Sequence, residues 1–286
     1  MVPSAGLAKE NVKCPKCQDK QVIIYRVHKD TEWNEVPGVK TLVPDSMVLE
    51  ADFLDMKVCQ PEEAWQWRET YSIRCECVER RKRERLMKSS DITDEFRKLR
   101  FQNFRIEGKH PIVVQAKQCA LSYFSEFDNV RSLRENSISL LGQPGAGKTH
   151  LLTAVANNLI DRKGVSVQYF PYIEGTKELR DDFNLLTEKL ERMKKADVLF
   201  IDDLFKPVKR VPRASDWQVE QMYDVLNYRY LNHLPIMVSS ELTIHELVEV
   251  DEALATRISE MSKSFTVVIK GNRMELNHRL EGLKDV

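Results

Sequence analysis

The chain has 286 residues, 31% of them charged, with 44 basic and 44 acidic side chains. A net charge of +0 excludes a global basic field, so any nucleic-acid site must be a local patch. No apolar run is long enough to span a bilayer, and Met1-Val2-Pro3-Ser4-Ala5-Gly6-Leu7 lacks the apolar core of a signal peptide; no membrane partner and a cytoplasmic location are expected.

Residues 1–88 differ from the rest. They hold Cys14, Cys17, Cys59, Cys75 and Cys77, several prolines and little helical periodicity. In a reducing cytosol, metal or plain thiol is favoured over disulfide, and a small unit of this kind needs a staple to fold. Cys14-Pro15-Lys16-Cys17 is a C-x₂-C knuckle, and Cys75-Glu76-Cys77 supplies a second pair. Four thiolates would complete a tetrahedral zinc site. His28 could replace one of the later cysteines, and Cys59 is a fifth possibility. The bland alternative is scattered thiols, with Cys75 and Cys77 on opposite faces of a strand. Trp65 and Trp67 fill a small core or dock a partner. Residues 78–88 form a charged, helix-prone connector, more in keeping with a solvated face than a DNA contact. Residues 89–111 extend it as a helical linker anchored by Ile92, Phe96, Leu99 and Phe104.

From residue 112 to 286, helices and apolar strands alternate, which predicts an α/β fold with a mostly parallel sheet flanked by helices. The β-leaning run 137–141 leads into Gly142-Gln143-Pro144-Gly145-Ala146-Gly147-Lys148-Thr149, which fits the phosphate-binding loop G-x-x-x-x-G-K-[ST]. Backbone amides of such a loop converge on phosphates. Lys148 would reach the β/γ-phosphates of ATP, Thr149 would ligate Mg²⁺, and His150 joins the nucleotide-binding set. Leu151, Leu152, Val155, Ala156 and Leu159 recur at helical spacing, Lys163-Gly164 stop that helix, and 165–170 read as the next strand. Val198-Leu199-Phe200-Ile201 is a buried-strand run ending in Asp202-Asp203. Asp202 would hold Mg²⁺, and Asp203 would orient or deprotonate the attacking water. The loop 206–213 is basic and proline-punctuated, a candidate contact for a single-stranded backbone. A helix over 216–231, a strand over 235–240, a capping box at Thr243–Glu246 and a strand over 265–269 follow.

Taken together, these residues resemble the DnaC/DnaI family of bacterial and phage helicase loaders, within the AAA+ ATPases. The resemblance spans almost the whole chain. It is strongest over 142–160, 198–206 and 215–231, and it extends to Cys75-Glu76-Cys77, Phe101-Gln102-Asn103-Phe104 and 255–261. It implies a cysteine-rich, zinc-binding domain that grips a replicative hexameric helicase of DnaB type. It also implies an AAA+ module that self-associates, binds single-stranded DNA and loads the helicase in an ATP-dependent way. Arg257 resembles the arginine finger that reaches a neighbour's ATP; Arg229 is a rival, or a brace for its helix. Ser239-Ser240-Glu241 stands where such proteins carry a Ser/Thr-Asn pair that touches the γ-phosphate, so the sensing group could be a serine, with Ser240 placed in the nucleotide-binding set, and Glu241 needs a metal or an arginine to neutralise it. Too little chain follows residue 269 for the AAA+ helical lid. The implied activity is ATP hydrolysis, completed by a neighbouring subunit and stimulated by single-stranded DNA or partner. The alternatives are an IstB-like transposition-associated ATPase and, from other classes, a small-molecule P-loop kinase or a non-hydrolysing adaptor.

Overall fold

The structure, a computed structural model, describes residues 13–50, 66–67, 69–181, 183–209, 211–212 and 214–280. Cys59 and Trp65 lie outside the described residues. The chain divides into two units, Met1–Lys82 and Arg83–Val286.

In the first unit, β1 (Val22–Val27) pairs antiparallel with β4 (Met47–Leu49) on one side and β5 (Glu69–Arg74) on the other. Two short strands, β2 (Trp33–Asn34) and β3 (Val43–Pro44), form a separate ribbon. The β1–β5 register puts Val22 opposite Arg74, and Cys75 N–H donates to Gln21 O at 2.8 Å. This pairing closes the long gap between the two cysteine pairs: the knuckle precedes β1 and the second pair follows β5. Helix α1 (Cys77–Ser89) starts on the last cysteine, so Cys75 and Cys77 do not alternate across a strand.

The second unit is a three-layer α/β/α sandwich. Its elements are α2 (Pro111–Val130), β6 (Ile138–Gly142), α3 (Lys148–Asn158), β7 (Val167–Pro171), α4 (Tyr172–Asp181), α5 (Phe183–Lys195), β8 (Val198–Asp202), α6 (Asp216–Leu231), β9 (Ile236–Ser240), α7 (Ile244–Val250), α8 (Glu252–Met261), β10 (Thr266–Ile269) and α9 (Arg273–Leu276). The five strands run in the order β10-β6-β9-β8-β7, and every neighbouring pair is parallel. Strands β6, β8 and β9 are buried along their whole length, as two-sided coverage requires. Alternation sorts their side chains. Leu140 and Phe200 join the core under α2 and α3 with Tyr123, Phe127 and Leu151; Leu141, Leu199 and Ile201 join Met193, Met222, Leu226 and Ile258 on the opposite face.

Two local expectations change. Residues 90–104 do not continue α1 as a helix. They run as irregular chain with two 3₁₀ turns, 96–98 and 101–103, pinned by buried Ile92 and Phe104. The helix after the glycine loop is α-helical only to Asn158; a π turn over Leu159–Lys163 follows and ends at Gly164 with φ of 62°.

Arg229 of α6 is fully buried. Its Nη1 donates to the carbonyls of Met193, Lys194 and Ala196 at 2.8, 3.0 and 2.9 Å, and its Nη2 to those of Asp197 and Pro235 at 3.3 and 2.7 Å. A cation suits the exposed carbonyls at the end of α5, although burial lowers its pKa to about 9. Arg229 is therefore a brace.

Candidate nucleotide site and cysteine cluster

The glycine loop joins the end of β6 to the N-terminus of α3, where amide hydrogens and helix dipole favour an anion. Gly142 has φ of 100°, and a Cβ there would stand 2.2 Å from Ile269 O of β10. Gly147, with φ of 85°, caps α3, and its Cβ would meet the Phe104 ring at 2.4 Å. Lys148 is 5% exposed. Its Nζ donates to Gly142 O at 2.7 Å and Gln143 O at 2.8 Å. Burial pulls its pKa down to about 8, opposed by Asp203, Glu241 and Asp202. Gln143 Nε2 donates to Gly271 O at 2.9 Å. Pro144 lines a cavity of about 560 Å³ with Gly142, Glu241 and Arg273. Ala146 and His150 line a smaller one of about 220 Å³ with Phe104, Leu276 and His278. The His150 ring serves the segment before α2: Nε2 lies 2.9 Å from Asn103 Oδ1 and 3.1 Å from Arg100 O, edge-on to Phe104 at 5.1 Å. Between the two cavities the chain after β10 crosses the loop, with His278 N–H donating to Gly145 O at 3.2 Å.

The acidic strand end meets this loop. Thr149 Oγ1 donates to Asp202 Oδ1 at 2.9 Å, Ser239 Oγ donates to the same oxygen, and Tyr169 O–H donates to Oδ2 at 3.3 Å. Burial raises the Asp202 pKa, against these hydrogen bonds. Asp203 sits at φ of 57° and donates its N–H to Ser239 Oγ at 2.8 Å. Its Oδ2 receives Lys206 Nζ at 2.6 Å, and the same ammonium lies 3.6 Å from Glu241 Oε1.

Sequence reasoning missed this. It gave Lys206 to a DNA-facing loop and left Glu241 needing a metal or an arginine, whereas the lysine turns toward both acids. The available signal was the i, i+3 spacing of Asp203 and Lys206. Ser239 was missed as well. The Ser240 hydroxyl is committed to Leu204 O at 2.7 Å and to Leu242 N–H at 3.1 Å, so the serine touching Asp202 is its neighbour.

Arg257, on α8, stands with other partners. Nε donates to Asn227 Oδ1 at 3.1 Å and Nη1 to Ala253 O at 2.7 Å, while the guanidinium lies 5.2 Å and 5.4 Å from the Tyr223 and Tyr230 ring centres. None of these partners belongs to the phosphate loop.

The donor sets fit two ligands. Glycines at positive φ, a buried lysine and hydroxyl and carboxylate oxygens from Thr149 and Asp202 suit a magnesium-bound triphosphate. In the other unit, the Sγ atoms of Cys14, Cys17, Cys75 and Cys77 are buried and within 4.8 Å of one another. Cys14–Cys75 is 3.8 Å and Cys17–Cys77 is 3.4 Å. A tetrahedral zinc with bonds of about 2.3 Å sets its sulfurs about 3.8 Å apart. The Cys17 backbone draws the Cys14 thiol down to about 7, while burial pushes Cys77 up to about 12. Four thiolates in this space therefore need a cation. His28 stands outside the cluster, its Nε2 2.9 Å from Gln66 Oε1 and its ring against Trp67.

A single parallel sheet, a glycine loop feeding a helix and an acidic strand end define an AAA+-like, P-loop, ATP-binding protein. Residues 61–282 match the family model described as IstB-like ATP binding protein, and the chain belongs to that family. It is 54% identical over 272 residues to the uncharacterized protein YqaM of Bacillus subtilis (strain 168), covering 95% of this chain and 87% of that one. It is 59% identical over 210 residues to the phage-like element PBSX protein XkdC of the same organism, covering 73% and 79%. Among solved structures, that of DnaI superposes with a TM-score of 0.52 at 23% identity, covering 64% of this chain and 94% of that one. A putative primosome component from Streptococcus pyogenes serotype M3 superposes at 0.50 and 19% identity, covering 63% and 91%. These structures share the fold.

Proposed function

We propose that the protein is an ATP-dependent loader of a replicative hexameric DNA helicase of DnaB type onto single-stranded DNA. The observation that carries the ATPase part is the 2.9 Å bond between Thr149 and Asp202 beside the buried Lys148, which joins the phosphate loop to the acidic strand in one cradle. The fold likeness to DnaI supports the loader part.

In this reading the loop amides and Lys148 bind the phosphates. Thr149 and Asp202 would hold Mg²⁺, which would supply charge neutralisation at the phosphates. Asp203, a side chain 29% exposed at the crevice, orients the attacking water and accepts its proton. Arg257, held between two tyrosines away from its own loop, serves a neighbouring subunit's site. The cysteine-bearing unit, with zinc held by Cys14, Cys17, Cys75 and Cys77, grips the helicase. ATP and ADP states then differ in subunit contacts and bias one partner state over the other.

The test is steady-state ATP hydrolysis by the full chain, alone and with single-stranded DNA and purified helicase, together with helicase capture in ATP and in ADP. Stimulated turnover and nucleotide-dependent capture are expected; turnover with no helicase capture in either nucleotide rejects the loader. A second reading, remodelling of a transposase by an IstB-like ATPase, is favoured by the family match itself. Capture of a transposase in place of the helicase would select it.

A further inference from the structure

Three carboxylates crowd the crevice: Asp202, Asp203 and Glu241. Glu241 follows β9 directly and lines the same cavity as Gly142, Gln143 and Pro144 of the phosphate loop. A triphosphate entering there meets the Glu241 charge at close range, and like charges on a desolvated anion are costly. Lys206 answers that charge at 3.6 Å and holds Asp203 at 2.6 Å with the same ammonium.

The position of this lysine is built into the fold. After Asp203 the chain turns back, with Lys206 N–H donating to Asp203 O at 3.0 Å and Leu204 N–H to Ser239 O at 2.9 Å. Asp203 and Phe205 both take left-handed φ, 57° and 51°, which side-chain-bearing residues adopt only when held there. Leu204 and Phe205 are fully buried, and Phe205 packs edge-on to Tyr172 at 5.3 Å. Two anchored apolar residues therefore aim the third, Lys206, into the acidic pair. An ordinary flexible surface lysine has no such mount.

We propose that Lys206 is a positioning residue for hydrolysis: it neutralises Glu241 so that a γ-phosphate is tolerated, and it fixes the Asp203 carboxylate against the attacking water. This rests on the ATPase reading above. In that step the water oxygen bonds to the γ-phosphorus, the bond from phosphorus to the β–γ bridging oxygen breaks with its electrons leaving on ADP, and the water proton passes to Asp203. Lys206 touches neither water nor phosphorus; it acts through the two carboxylates, one governing affinity and the other the rate.

That division gives the test. Mg-ATP affinity by calorimetry and kcat by phosphate release are measured for the full chain as wild type, Lys206→Ala, Glu241→Gln, the double variant and Lys148→Ala. Lys206→Ala weakens ATP binding about tenfold and lowers kcat about tenfold or more, each decade equivalent to about 1.4 kcal/mol. Adding Glu241→Gln to Lys206→Ala restores the affinity, because the unneutralised charge is gone, but not kcat, because Asp203 is still unheld. A purely structural lysine would give no such charge-specific rescue. Wild-type constants for Lys206→Ala, or a double variant that binds as weakly as Lys206→Ala, overturn the proposal while Lys148→Ala still loses ATP. Should Lys148→Ala bind ATP like wild type, the nucleotide reading itself falls and takes this inference with it.

Discussion

The two units build their sites in opposite ways. In Arg83–Val286 the phosphate loop is a by-product of a large core: β6, β8 and β9 are buried end to end, and their C-terminal edges present the loop, Asp202 and Ser239 at one level. In Met1–Lys82 the order is reversed. The buried cluster among its described residues consists of Cys14, Cys17, Cys75 and Cys77, with Ile23 and Val78 partly buried against it. There the site is itself a buried cluster, with Val27 and Tyr71 buried elsewhere among the described residues of the unit. A ligand should tune the first kind of unit and create the second.

The sharpest way to break this contrast is metal removal. Chelation, or Cys75→Ser, is expected to cost the cysteine unit about 10 kcal/mol, the scale of structural zinc binding, and to leave the melting of the ATP-binding unit in place. Two transitions in calorimetry of the full chain, with zinc lost only from the lower, would bear this out; one zinc-independent transition would refute it. Zinc affinity should also fall as pH drops, because protons compete for thiolates, and burial makes the Cys77 thiol reluctant to ionise.

Arg229→Met probes the core-built unit at its most exacting point. Its five carbonyl partners would lose a donor in a dry interior, and a loss of about 4 kcal/mol is expected by denaturant melting. Next comes Asp203→Asn, which should slow turnover about 100-fold or more with ATP still bound and melting unchanged. Lys148→Ala should weaken ATP binding by about 100-fold, about 2.7 kcal/mol, again with the fold intact. The smallest effect on stability is expected for Arg257→Ala, about 1 kcal/mol, the scale of a half-buried cation–π and hydrogen-bonded arginine. Turnover should nonetheless fall, and mixing with Asp203→Asn protomers should restore part of it if sites are shared.

The strand–loop–helix over 138–158 was legible because glycine spacing, an apolar strand and a 3.6-residue period coincide within one stretch of chain. The parallel sheet was legible from continuous apolar runs such as Val198–Ile201. Contacts set by three-dimensional return of the chain were not. Which serine hydroxyl faces Asp202 depends on the β8–β9 register, with Ile201 opposite Val238, and nothing in Ser239-Ser240 announces it. Lys206 looked like part of a basic loop because its orientation comes from the buried anchors Leu204 and Phe205. The gap between the cysteine pairs looked unusual because the β1–β5 pairing that closes it lies between residues with weak periodicity. The π turn after Asn158 leaves no mark that an apolar helical pattern would betray.

Helix α6 has a dual attachment. Arg229 ties it to the carbonyls leading into β8 and to Pro235 before β9, while Asn227, Tyr223 and Tyr230 on the same helix seat Arg257. A tilt of this one rod would therefore displace the seat of the Arg257 guanidinium and the carbonyls at the entrances to β8 and β9 together.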